Sequence, residues 1–199
     1  MITIGLTGSI GMGKSTTARL FEEEGVALCD SDAIVHQLYS NEAVPLIEDA
    51  FPGTTENGQV DREKLADILR GNPANFKVLE EIVHPLVREK QQAFLERSRQ
   101  AGSHFALLDI PLLFETGAQD RVDTIIVVSC EPEIQKQRVM KRPGMTEEKF
   151  QVILQRQMPD AEKRARADFV IDTGKGIPEA RLQVQAVLAT LKSTIRDKK

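Results

Sequence analysis

The chain has 199 residues, 41% of them hydrophobic, enough for one substantial core or a core carrying insertions. A formal net charge of −4, one Tyr, no Trp and 5% aromatic residues make a poor nucleic-acid surface, so no nucleic-acid partner is expected. No stretch approaches the roughly 20 apolar residues of a membrane span, the opening MITIGLTG carries no basic leader, and Cys29 and Cys130 lack metal-like spacing, so the expectation is a cytoplasmic monomer with two reduced, buried thiols and no membrane attachment.

Five short runs rich in Val, Ile and Leu read as buried parallel strands: Ile2–Thr7, 26–29, Phe105–Asp109, Thr124–Ser129 and Phe169–Asp172. Helical patterns separate them, which indicates an α/β fold with right-handed crossovers. The first strand leads into Gly8-Ser9-Ile10-Gly11-Met12-Gly13-Lys14-Ser15, a full match to G-x-x-x-x-G-K-[ST], and a helical pattern follows over 14–24. Glycines let the chain approach phosphate oxygens, so that successive backbone N–H groups, Met12 among them, form an anion nest at a helix N-terminus. Lys14 is expected on the β- and γ-phosphates of ATP, Ser15 on Mg²⁺ and Thr16 on the α-phosphate.

The second strand runs into Asp30-Ser31-Asp32. Ligands of open α/β sheets bind at the carboxyl ends of the strands, which brings this triplet towards the phosphate loop. A kinase acting on an alcohol needs a carboxylate to orient the hydroxyl and accept its proton, and Mg²⁺ needs oxygen ligands. Asp32 is the expected base or metal ligand; Asp30 is read equally as a metal ligand or as a helix cap. Residues 31–103 are almost entirely helical in pattern and are expected to form an acceptor-binding insertion. Asn72-Pro73 starts a helix whose apolar face is Phe76, Leu79, Ile82 and Val83. His84-Pro85 interrupts it and places His84 at a kink.

Phe105–Asp109 ends in an acid like a Walker B strand, leaving Asp30, Asp32 and Asp109 as alternatives for direct contact with Mg²⁺. Pro111-Leu112-Leu113-Phe114-Glu115 follows at the same edge, and an apolar wall containing Leu112 suits an acceptor with a hydrophobic portion. Residues 133–167 are helical and basic, and are expected to form a lid that excludes water. Arg138 and Arg142, four apart, are expected on one helix face and inward-facing. Thr146 is the expected cap of the next helix. The loop after the last strand contains Gly174 and could pack against adenine; the absence of an N-K-x-D signature favours ATP over GTP.

These motifs together resemble the dephospho-coenzyme A kinase family: IGLTGSIGMGKST at 4–16, D-S-D at 30–32, H-P-L at 84–86, P-L-L-F-E at 111–115, and Arg138, Arg142 and Arg156-Gln157. The middle residue of the D-x-D triplet in that family is usually Ala; here it is Ser31. The resemblance implies a nucleoside-monophosphate-kinase type of P-loop fold, with core segments 1–30, 104–132 and 168–199, an acceptor region 31–103 and a lid 133–167. It implies ATP and Mg²⁺ as cofactors and phosphorylation of the ribose 3′-hydroxyl of dephospho-coenzyme A. Asp32 would be the base, with Lys14 and Arg138 serving catalysis, and His84, Pro85, Leu112 and Glu115 would bind the acceptor. The alternative is a P-loop kinase of another small acceptor, such as a nucleoside monophosphate.

Overall fold

A computed structural model describes residues 1–196. Strand β1 (Ile2–Thr7) is followed by helix α1 (Lys14–Glu23), β2 (Ala27–Asp30), α2 (Ser31–Leu38), α3 (Ala43–Ala50), a hairpin of β3 (Thr55–Glu56) and β4 (Gln59–Val60), and α4 (Arg62–Gly71). Helix α5 (Ala74–Gln100), β5 (Phe105–Asp109), a 3₁₀ turn at Ala118–Arg121 and β6 (Thr124–Ser129) come next. The chain continues through α6 (Pro132–Met140), α7 (Glu147–Arg156), α8 (Asp160–Ala165), β7 (Phe169–Asp172) and α9 (Ile177–Arg196). Among the described residues no helix is long and apolar enough to cross a membrane.

The chain divides into two compact units, one of residues 1–29 and 98–199, the other of residues 30–97. In the first, five strands form a sheet in the order β2-β5-β1-β6-β7. The pairs β1–β5, β1–β6 and β6–β7 are parallel, with Ile4 opposite both Leu107 and Thr124. This is the five-stranded α/β sheet of the P-loop kinases, in agreement with the sequence. Strands buried on both faces need continuous apolar runs, and β5 is buried at every position. Ile4, Leu6, Leu107, Ile126, Val128 and Ile171 form the core with Leu20 and Phe21 of α1 and Val184 and Leu188 of α9. Each such fully buried side chain contributes about 1.5–3 kcal/mol of transfer free energy. Helix α1 closes with a Schellman pair, in which Val26 N–H bonds the Phe21 carbonyl and Gly25 N–H that of Glu22.

The second unit has its own core of Leu38, Ala43, Ile47, Phe51, Leu65, Leu69 and Val83, against which Phe76, Leu79 and Ile82 pack. The apolar face read from the sequence for α5 is therefore the buried one. Two expectations need correction here. Residues 55–60 are a hairpin rather than helix: Asn57 (φ 52°) and Gly58 (φ 75°) both take positive φ, the type I′ pattern that Asn-Gly favours. Helix α5 also continues through Pro85 as one 27-residue element, because the apolar stripe of Ile82, Val83, Leu86 and Val87 docks on one core on both sides of the proline.

Candidate active site

The phosphate loop connects β1 to α1. Gly11 (φ 79°) and Gly13 (φ 88°) occupy the left-handed region, which turns the chain tightly enough for Met12 N–H to bond the Ser9 carbonyl. Gly8 is required for space: a Cβ there would lie 2.4 Å from Val128 Cγ2 and 2.8 Å from the Val128 carbonyl oxygen. The first turn of α1 presents Ser15 and Thr16 to solvent, as an anion-binding helix start should. Lys14 Nζ donates to Asp109 Oδ1 at 2.5 Å, and Asp109 is 3% exposed at the end of β5. The Walker B reading thus acquires a partner: the buried acid and the partly exposed loop lysine form one ion pair.

Beyond the loop, residues distant in sequence hold it. Thr173, just past β7, donates its hydroxyl to the Met12 carbonyl at 2.8 Å. Arg138 of α6 donates Nη1 to Thr173 Oγ1 (2.9 Å) and Nη2 to the Thr173 carbonyl (2.7 Å). Its guanidinium, anticipated as an inward lid group, lies at the turn that carries Gly174, whose N–H bonds Asp172 Oδ1 at 2.8 Å. Cys130 N–H bonds Met12 Sδ at 3.2 Å. Burial pushes the Cys130 thiol above its ordinary range, against the opposing pull of the Arg138 charge. Neither cysteine is in a disulfide and both are buried, as the sequence suggested.

Arg142 is not on the Arg138 face. Helix α6 ends at Met140, and Arg142 is exposed in the turn before Pro143-Gly144. Thr146 caps α7 through Lys149 N–H as expected.

The acceptor-wall segment divides. Leu113 and Phe114 are buried, while Leu112 stays 39% exposed. Glu115 points elsewhere: its Oε1 forms an ion pair with Lys163 Nζ (2.8 Å), a lysine with no exposed side-chain surface, and accepts from Met158 N–H (2.8 Å). Burial alone would raise the Glu115 pKa, but these bonds outweigh it and hold the carboxyl below its usual range. Glu115 anchors α8 rather than presenting a free carboxylate.

In the second unit, Asp30 caps α2 through Oδ1, which accepts from Asp32 N–H (2.8 Å) and Ala33 N–H (3.1 Å). The helix cap, one of the two readings of Asp30, is therefore present, made through a single carboxylate oxygen. That bond fixes the backbone of Asp32, whose side chain is exposed in the first turn of α2. Ser31 is buried and its hydroxyl accepts from Gln91 Nε2 at 2.9 Å, which ties α2 to α5. His84 and Pro85 line a shallow groove of about 370 Å³ with Lys77, Glu80, Glu81 and Arg88.

Sequence reasoning assigns no role to Gln135, Gln157, Thr173 or Lys163, although Gln157 stands among the motif residues of the family resemblance. The first three touch the loop or its support across more than 100 positions, and no local pattern announces such contacts.

The dephospho-CoA kinase family model matches residues 2–179. A dephospho-CoA kinase of Agrobacterium fabrum is 69% identical over 191 residues, 96% of this chain and 98% of that protein. One from Rhizobium etli is 57% identical over 195 residues, covering 98% and 96%. The solved dephospho-CoA kinase of Campylobacter jejuni superimposes with a TM-score of 0.73 at 26% identity, covering 96% of this chain and 98% of that one. A phosphate loop on a five-stranded parallel sheet, matched along nearly its whole length at such identity, leaves one assignment: the chain belongs to the dephospho-CoA kinase family.

Proposed function

We propose that this protein transfers the γ-phosphoryl of ATP to the ribose 3′-hydroxyl of dephospho-coenzyme A, giving coenzyme A and ADP. The observation that carries this reading is the phosphate loop with its Lys14–Asp109 ion pair in a chain 69% identical to a dephospho-CoA kinase. Backbone N–H groups of Gly11 and Gly13 and the N-terminus of α1 receive the β- and γ-phosphates, Met12 N–H holding the turn through the Ser9 carbonyl, with Gly8 allowing the loop to lie close to β6. Lys14 exchanges part of its bond with Asp109 for phosphate oxygen, and Thr16 takes the α-phosphate.

Magnesium accepts one or two protein oxygens and completes its shell with phosphate and water. The Ser15 hydroxyl at the start of α1 and the Asp109 carboxylate beside Lys14 are donors of that kind, and Asp32 is a further candidate. Bound there, the ion would supply charge neutralisation for the phosphates. Asp32 orients the 3′-hydroxyl and accepts its proton. Arg138 and Arg142 add positive charge, Gly174 lies against adenine, and the coenzyme A portion is taken by His84 and Pro85 in their groove and by Leu112. Two buried thiols outside any disulfide support a cytoplasmic enzyme, the acidic, aromatic-poor composition supports action without nucleic acid, and the enzyme is read as a monomer.

The test is the purified protein with ATP, magnesium and dephospho-coenzyme A, with coenzyme A and ADP separated chromatographically. Stoichiometric formation of both is expected; ATP turnover indifferent to the acceptor would refute the assignment. Asp32→Asn is expected to lower kcat about 10²- to 10⁴-fold with ATP affinity unchanged, and near-normal turnover would remove Asp32 from the mechanism.

A further inference from the structure

Ile10 sits in the middle of the phosphate loop, and both of its backbone polar groups are taken by side chains from far away. Its N–H donates to Gln157 Oε1 at 3.0 Å, and its carbonyl accepts from Gln135 Nε2 at 2.7 Å. Gln135 lies on α6 and is 6% exposed. Gln157 is the residue that ends α7. Helix α6 also meets the loop directly: a Cβ on Gly11 would lie 2.5 Å from Val139 Cγ2 and 3.0 Å from the Gln135 carbonyl. Two carboxamides of opposite polarity therefore grip one peptide residue, and they come from the basic helical stretch rather than from the nucleotide-binding motif.

We infer that Gln135 and Gln157 are positioning residues for ATP binding, setting the curvature of the phosphate loop through Ile10. The inference rests on the reading above that this loop takes the phosphates of ATP. An anion nest works only when its N–H groups already converge, since reorganising them on binding would consume affinity. Thr173 fixes the second half of the loop at Met12, and the two glutamines fix the first half. Gln157 also links the loop to the Met158–Glu115–Lys163 contacts, so the α7–α8 connection and the loop move as one piece.

Gln157→Met in the full chain keeps the length of the side chain and removes its acceptor. One lost hydrogen bond to the loop should raise the KM for ATP about fivefold. Both kcat and the KM for dephospho-coenzyme A should stay within twofold, a split that a merely structural role would not produce. Gln135→Met should act in the same direction, and the double variant should fall short of the product of the two effects because both work through Ile10. Should Gln135→Met fail to fold, Gln157→Met decides alone. An unchanged KM for ATP in Gln157→Met overturns the inference, as does a parallel loss in all three kinetic constants that tracks a fall in Tm. Two assays keep the hypotheses apart: absence of coenzyme A formation by wild type in the chromatographic assay removes the assigned acceptor, while equal ATP affinities of wild type and Gln157→Met in calorimetric titration remove the glutamine brace.

Discussion

Removing the Glu115 carboxylate should be far more damaging than removing its partner. In Glu115→Ala the Lys163 ammonium is left at 0% exposure without a counter-charge. Breaking a buried pair from one side costs about 3–5 kcal/mol, and because the Glu115 side chain keeps 17% exposure, the lower end, about 3 kcal/mol, is expected. Lys163→Met leaves a carboxylate that reaches water and keeps its bond from Met158 N–H, so about 1 kcal/mol is expected. Glu115→Leu combined with Lys163→Met should return to within about 1 kcal/mol of wild type, since an apolar pair can replace a buried ionic one. Equilibrium urea unfolding followed by circular dichroism measures all three. The reasoning fails if Glu115→Ala costs no more than Lys163→Met, or if the double variant loses the sum of the single losses. The pH dependence has a definite sign. The folded-state pKa of Glu115 lies below its usual 4.5, so its contribution is complete above that pH and disappears as the pH falls through the lower folded value. Wild type should lose this component on acidification, and Glu115→Ala should not.

Gly8→Ala should lower ATP affinity at least tenfold and destabilise the protein by about 1–3 kcal/mol, read by calorimetry and unfolding. Adding Val128→Ala should not rescue it, because the clash with the Val128 carbonyl remains; full rescue would show that the loop has room. Asn57→Ala should cost about 1 kcal/mol in urea unfolding, since alanine tolerates the positive φ of this turn poorly, and an unchanged midpoint would contradict the turn assignment.

The parts of the site that were readable in advance are those whose geometry is encoded within a few residues. Gly8 to Ser15 is one such string, because close approach and helix initiation each demand a residue type at a set spacing. Asp30 is ambiguous for the same local reason: a carboxylate at a strand end serves equally as a cap or a ligand, and the bonds from Asp32 and Ala33 N–H show the cap. The Arg138–Arg142 pairing failed although a signal was present, since Arg142 precedes Pro143 and is thereby biased away from helix. Asn57-Gly58 was likewise visible as a hairpin turn between short strands, but the surrounding helical periodicity outweighed two residues. Glu115 and its partners were beyond reach: whether a carboxylate meets solvent, substrate or a lysine 48 positions later is settled by tertiary packing.

Pro85 lies inside an unbroken helix, and its ring nitrogen carries no hydrogen. The carbonyl of Glu81, four residues earlier, is thereby denied its customary donor. Glu81 and Pro85 both border the groove beside His84. One main-chain oxygen of a residue bordering that groove is thus released from the helix ladder by the proline ring alone, a property that no side-chain substitution at position 81 can delete.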